Sequence, residues 1–177
     1  MNERAPHSPQ TLALQPTSAS VAQARHWTVA QLSDHLGADH PAVERARLCV
    51  SELATNAIVH GGDAARRDCV TVSWTCDQTG EDCSSATTSE AMPGCVRVEV
   101  TADSDGPSRP HLATPHPIEP PGEHGRGLAL VRAYAAAWGW EDRPQGRLTT
   151  WFDLPADPAA PLYTALDPER AFALGSE

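Results

Sequence analysis

The amino-acid sequence predicts an α+β fold, a two-layer α/β sandwich with helices on one face of a mixed, mainly antiparallel sheet. Two helical patterns precede two segments of alternating apolar residues, and a third helical pattern and a last strand follow a long proline-rich segment. Because each alternating strand has one apolar face, the sheet needs cover on that side only. Helices grouped on a single face provide this cover.

Three segments carry the helical pattern. The first spans residues 20–36, and Gly37 ends it. The second follows Asp39, which we expect to be its N-cap, and ends at His60, directly before two glycines. The third spans residues 127–138.

Four segments predict strands, and two predict loops. A short alternation predicts an edge strand over residues 11–15. Longer alternations predict strands over residues 70–75, 96–101 and 149–154. The loops are a polar, acidic hairpin loop over residues 76–95 and a segment over residues 106–124 that contains six prolines. A proline-rich segment of this length within a compact domain is usually functional or disordered.

Size and composition favour one domain. The chain has 177 residues, 40% of them hydrophobic, and five tryptophans, which suffices for one sizeable core. We expect the domain to span residues 11–155, between a disordered N-terminus (residues 1–10) and a C-terminal tail (residues 156–177) that could include a short helix.

The charge of the chain excludes several function classes. A formal net charge of −10 argues against general binding to nucleic acid or to an anionic membrane. All thirteen basic residues are arginine, which excludes a Walker-type phosphate loop and Schiff-base chemistry, because both require lysine. With no signal peptide and no long apolar segment, the sequence predicts a cytoplasmic protein. Reduced thiols are expected for its five cysteines, and a zinc set of Cys69, Cys76, Cys83 and Cys95 is a minor alternative.

Glu52, Asn56 and His60 recur at every fourth residue of the second helix. On a helix they form one narrow polar stripe at the border of the apolar face. A carboxylate, an amide and an imidazole in this arrangement can hold an ion and a reacting oxygen. The stripe alone is equally consistent with a solvated helix edge.

Further candidates lie beyond the second strand. Gly125 and Gly127, in the sequence HGRGL, stand where the proline-rich segment meets the third helix, so that backbone N–H groups can approach an anion at the helix N-terminus. A flexible helix entry is the alternative. Asp103, with Asp105 as its alternative, follows the third strand and can accept a hydrogen bond from the amine of a base, or form an ordinary turn. Thr149, like Thr150, can offer a hydroxyl from the last strand.

These motifs, ELATNAIVH, the acidic turn after VRVEV, HGRGL and TTWFDL, occur in the order found in the GHKL ATPase superfamily of gyrase, histidine kinases and mismatch-repair ATPases. The chain resembles this superfamily over residues 12–155, and within it is most similar to the small bacterial anti-sigma-factor serine/threonine kinases. The resemblance implies the Bergerat-type ATP-binding fold, with ATP and Mg²⁺ as cofactors.

The resemblance also implies roles for individual residues. Asn56 resembles the amide that holds magnesium, and Glu52 resembles the base that deprotonates a partner serine or a water. Asp103 resembles the carboxylate that reads adenine, and residues 106–124 resemble the nucleotide lid. The glycine turn at the phosphates corresponds to Gly125, Arg126, Gly127 and Leu128, with the Arg126 side chain available to neutralise phosphate.

The leading functional hypothesis is an ATP-dependent kinase that phosphorylates a serine of a small antagonist protein, or sequesters a sigma factor in its alternative state. Homodimers are common among the kinases that the chain resembles, so a homodimer is a further expectation. A non-catalytic module in which ATP orders the lid for protein binding is the second hypothesis. A thiol or zinc module is the third.

Overall fold

The computed structural model describes residues 10–61, 70–76, 94–104, 110 and 126–159. Within these residues there are three α-helices and five β-strands, so the predicted α+β fold is confirmed. Their bounds are β1 Gln10–Leu14, α1 Ser18–Leu36, α2 Pro41–His60, β2 Val70–Cys76, β3 Cys95–Asp103, α3 Arg126–Tyr134, β4 Ala137–Arg143 and β5 Arg147–Pro155.

The five strands form one sheet in the order β1-β2-β3-β5-β4, and each of the four pairings is antiparallel. This arrangement agrees with the mainly antiparallel sheet that the sequence predicts. Val98 of β3 lies between Trp74 of β2 and Phe152 of β5, and all three side chains are buried. Because side chains alternate along a strand, this register gives the sheet an apolar face, here called the helix side, and an opposite outer face.

Helix α2 covers the centre of the helix side. It packs on β2, β3 and β5, and α1 lies beside it, packed on β1 and β2. The apolar arc of α2 is buried, and Val50 and Leu53 are among the largest fully buried side chains of the described residues. They share one core cluster with Val72, Val98 and Phe152. This core holds α2 in a fixed position over the middle of the sheet.

The N-terminus of α2 differs from the prediction. The N-cap is His40, and not Asp39: the Nδ1 atom of His40 accepts a hydrogen bond from the backbone N–H of Ala42 at 3.2 Å. On the other side of the ring, Nε2 donates to the carbonyl oxygen of Ala156 at 3.0 Å. The imidazole of His40 therefore connects the start of α2 to the chain just after β5.

The prediction of a third helix over residues 127–138 is wrong at its C-terminal end. Helix α3 ends at Tyr134, and Trp138 lies in strand β4, opposite Phe152 of β5. The run of alanines favours a helix locally, but Ala137–Arg143 satisfies its backbone hydrogen bonds by pairing with residues 147–153 of β5. A tight turn over Pro144–Gly146 joins the two strands, with positive φ angles at Gln145 (66°) and Gly146 (71°).

The outer face of the sheet carries buried charge. Arg97 of β3 donates two hydrogen bonds to Asp153 of β5, at 2.7 and 2.8 Å, and both side chains are almost inaccessible to solvent. The guanidinium of Arg97 also lies 3.8 Å from the ring centroid of Trp151, and that ring packs against Gly139 of β4. Paired in this way, the two charges can be buried without being left uncompensated.

Several predictions lie outside the described residues: the hairpin loop apart from its ends, the proline-rich segment 106–124 apart from Pro110, the tail beyond Ala159, and Cys69 and Cys83. Among the helices that are described, none combines the length and the apolar character needed to cross a membrane.

Candidate functional site

The polar stripe predicted on α2 is present. Glu52 and Asn56 are half-buried, and His60 is exposed in the last turn of the helix. Within the described part of the chain, the side chains of Glu52 and Asn56 form no hydrogen bond or ion pair. A carboxylate and an amide one helical turn apart, both at the border of the core, are therefore available to a ligand.

Gly127, in the first turn of α3, lies directly on Glu52. A Cβ atom placed on Gly127 would overlap Oε2 of the glutamate, and would lie 3.3 Å from its Cδ atom and 3.4 Å from its Cβ atom. With a Cβ atom at this position, either the carboxylate of Glu52 or the first turn of α3 would have to shift. The structure thus brings together Glu52 and the glycine turn, which the sequence indicated as two separate motifs.

The surroundings of Glu52 are apolar on the core side. Cys49, one turn earlier on α2, is fully buried, and its pKa is raised to about 12, first by burial and then by the negative charge of Glu52. Leu128, predicted as part of the glycine turn, is buried in the core cluster, so its side chain anchors the start of α3. Glu52 therefore lies between a dry core and the first turn of α3.

Asp103 is placed differently from its predicted role. The C-terminal end of α2 reaches the end of β3, where a Cβ atom on Gly61 would lie 3.4 Å from the carbonyl oxygen of Asp103. The side chain of Asp103, however, is on the outer face, with Oδ1 3.7 Å from Nε of Arg147. The residue that faces the helix side is Ala102, which is buried.

Thr149 is also on the outer face. Its hydroxyl lies 2.7 Å from the hydroxyl of Thr101 and accepts a hydrogen bond from Nε of Arg143 at 3.3 Å. The neighbouring Thr150 faces the helix side, where its hydroxyl donates to the carbonyl oxygen of Val100 at 3.3 Å. The structure therefore does not bring Thr149 to Glu52 and Asn56, and of the two threonines only Thr150 lies on their side of the sheet.

Ala102 and Arg147 are the positions that sequence reasoning missed. The signal was present, because alternation counted from Val96 places residue 102 with the buried valines and residue 103 on the other face. Of the remaining predicted residues, Asp105 and Gly125 lie outside the described residues, and Arg126 is described only by its backbone.

The residues at this site fit a magnesium ion held mainly by a ligand. The described residues contain no group of three or more His, Cys, Asp or Glu side chains that could hold a metal by themselves. The amide oxygen of Asn56 offers one hard oxygen ligand. Mg²⁺ is usually held in this way, by one or two protein oxygens together with phosphates and waters.

Comparison with known proteins identifies the family. The model of the histidine kinase-like ATPase domain matches residues 14–151. Among solved structures, the crystal structure of the RsbU and RsbW domains of Rv1364c from Mycobacterium tuberculosis is similar, with a TM-score of 0.53 and 19% sequence identity. That match covers 86% of this chain but 33% of the mycobacterial one, and at this identity it shows a shared fold. A search of curated proteins gave no significant match. The chain belongs to the family of histidine kinase-like ATPase domains.

Proposed function

We propose that this chain is an ATP-binding regulatory protein that transfers the terminal phosphate of ATP to a serine of a partner protein. The observation that carries the proposal is the contact between Glu52 and Gly127, one helical turn from Asn56. It places a carboxylate without a hydrogen-bonding partner in the described chain beside the N-terminus of a helix, where phosphate is favourably bound.

The proposed roles follow from this arrangement. The first turn of α3 binds the phosphates through backbone N–H groups. Asn56 holds Mg²⁺, which neutralises phosphate charge and orients the terminal phosphate when it is bound. Glu52 accepts the proton of the attacking serine hydroxyl, so that the oxygen attacks phosphorus as the bond to the leaving phosphate breaks. Leu128 and Cys49 keep the core side of this carboxylate dry.

The partners are proposed from the sequence resemblance. Anti-sigma-factor kinases act on small antagonist proteins and sequester sigma factors, and the solved structure that this fold resembles contains domains named RsbU and RsbW. We propose the same partner classes here, with a catalytic domain that spans residues 11–155 and forms a homodimer. The proline-rich segment 106–124 is proposed as the lid over the nucleotide.

The test separates binding from transfer. Calorimetric titration with ATP, with and without Mg²⁺, is expected to show saturable binding that weakens in Asn56→Ala. Glu52→Gln keeps the shape of the side chain and removes the base, so its affinity for ATP should change little, while phosphate transfer falls by roughly 10²–10⁴-fold. Thr55→Ser, at an exposed position between Glu52 and Asn56, is the matched control.

Transfer is measured as phosphoserine formed in a bacterial cell extract supplied with labelled ATP. Unchanged transfer in Glu52→Gln would remove the base assignment.

A second candidate is a non-catalytic module in which ATP binding presents a protein-binding surface. The outward orientation of Asp103 favours it, because the site then departs from the pattern of the resembling kinases. It predicts saturable ATP binding and no phosphoserine product in the same extract. Detection of that product, dependent on Glu52, would exclude this candidate.

A further inference from the structure

We infer that Asp103 does not read the base in this chain, and that the nucleotide site accepts ATP and GTP with similar affinity. The inference rests on the proposed nucleotide site and names its ligand class as purine nucleoside triphosphates. The relevant region is the end of the sheet next to the C-terminus of α2, where the sequence predicts that Asp103 reads the base.

The helix side of the sheet is apolar at this end. Ala102 of β3 lies opposite Leu148 of β5, and both side chains are on the helix side, as is the side chain of Val70 in β2. Ala102 is only 7% exposed and belongs to the core cluster. In this row of the described residues, the carboxylate on the helix side is Asp142, on edge strand β4. Two strand spacings, or about 10 Å, separate it from the β3 position.

Asp103 forms an ion pair with Arg147 on the outer face. Arg147 lies opposite it in the sheet, with 3.7 Å between Nε and Oδ1. The same guanidinium donates from Nη2 to the hydroxyl of Thr71 at 3.0 Å. Arg147 of β5 therefore reaches across β3 to β2, and Asp103 holds it there. This network connects three adjacent strands.

The orientation of Asp103 cannot change without cost to the core. A slip of β3 by one residue would bring Asp103 to the helix side. It would also move all the remaining side chains of the strand to the opposite face of the sheet. Val96, Val98 and Val100, each at most 1% exposed, would then leave the core. The register that buries these valines is the register that turns the carboxylate away.

An apolar wall and a carboxylate discriminate bases differently. Adenine presents an amine at its six position, and guanine presents a carbonyl oxygen there. A carboxylate accepts a hydrogen bond from the amine and repels the carbonyl oxygen, so it selects adenine. The methyl group of Ala102 offers neither interaction. Packing against it stabilises either purine to a similar extent.

The experiment is a calorimetric titration of the full chain with Mg·ATP and Mg·GTP. The two dissociation constants of the unaltered chain are expected to agree within about threefold. Asp103→Asn should leave both within about threefold of those values, since its carboxylate does not touch the base. The same variant should unfold at a lower urea concentration than the control Asp39→Asn, which neutralises an exposed acid in the turn before α2. In Ala102→Asp, a carboxylate on the helix side should shift the ratio towards ATP by about tenfold.

The outcomes that overturn the inference are distinct from failure of the proposed function. A preference of about tenfold or more for either base in the unaltered chain overturns the inference alone, while the nucleotide site stands. Loss of that preference in Asp103→Asn, Asp105→Asn or Asp142→Asn would show which carboxylate reads the base. An unchanged urea midpoint in Asp103→Asn would contradict the role of Asp103 in holding Arg147 in place. Absence of binding by both nucleotides would overturn the proposed function itself.

Discussion

Gly127 joins the two parts of the candidate site. The polar stripe belongs to α2 and the glycine turn to α3, and these helices meet where Gly127 packs against Glu52. The sequence indicated both motifs from local patterns, because spacing along a helix and glycine at a helix start are local properties. Their contact depends on the packing of α3 against α2 and could not be predicted from either motif.

Gly127→Ala is expected to weaken Mg·ATP binding by about tenfold or more, because the added methyl group overlaps the Glu52 carboxylate and moves either that side chain or the first turn of α3. Alanine is otherwise the better helix former, by about 1 kcal/mol. A folded variant with weak binding would therefore report on the site. Calorimetry measures the affinity, and circular dichroism checks the fold.

The control for this variant is Ala129→Ser, an exposed position of the same helix. Its affinity for Mg·ATP should match that of the unaltered chain. If Gly127→Ala binds Mg·ATP as tightly as this control, the close approach of α3 to Glu52 has no part in binding, and the proposed phosphate site would have to lie elsewhere.

At the scale of elements, the start of α2 shows where local rules fail. Aspartate is a favoured N-cap, so Asp39 was the local choice, but His40 forms the cap and also contacts the end of β5. The position of β4 is a similar case. Trp138 and Trp140 alternate around Gly139 as in a strand, and proline and glycine mark the following turn, yet the preceding alanines predicted a longer helix.

His40→Ala is expected to lower the free energy of unfolding by about 1–2 kcal/mol, since it removes the helix cap and the hydrogen bond to Ala156. Asn is a good N-cap, so His40→Asn should recover part of the loss without restoring the bond to Ala156. Urea denaturation measures both variants.

Asp39→Ala is the matched control for the cap. Its side chain is exposed and adjacent to the cap, so the change should lie within about 0.5 kcal/mol of zero. A greater loss in Asp39→Ala than in His40→Ala would mean that the locally predicted cap is the true one in solution.

At the scale of the whole molecule, the sheet has two different faces. The helix side is a continuous apolar core, and the outer face holds a network of charges that includes the buried pair Arg97–Asp153. Glu99 lies on this outer face. Burial is the largest influence on the pKa of Glu99 and raises it. The positive charges of Arg143 and Arg97 lower this pKa, whereas the negative charge of Glu141 raises it. A hydrogen bond with Ser73 also lowers the pKa. The net result is a raised pKa.

This raised pKa makes the stability of the whole fold depend on pH. Between the ordinary value of 4.5 and the higher value in the folded chain, the folded state binds more protons than the unfolded state. The contribution of Glu99 to the free energy of unfolding therefore decreases as pH rises through this interval. Glu99→Gln should abolish that decrease, and the difference between the two chains is measured by urea denaturation at a series of pH values.

Glu44→Gln provides the control of opposite sign. A hydrogen bond from Arg47 is the largest influence on the pKa of Glu44 and lowers it, so the stability it contributes is lost as pH falls through the lowered value. If the Glu99→Gln and unaltered chains respond to pH in parallel, the half-buried position of Glu99 on the outer face does not raise its pKa in the folded protein.

The sequence by itself determined the helices and strands that have a clear period, the polar stripe of Glu52 and Asn56, and the presence of a glycine turn, because these follow from neighbours along the chain. The tertiary structure decided which of these features meet. It placed Gly127 on Glu52, formed β4 by pairing it with β5, and turned Asp103 away from the helix side. The physical reason is that one register of β3 buries its valines, and this register fixes the direction of every side chain along the strand.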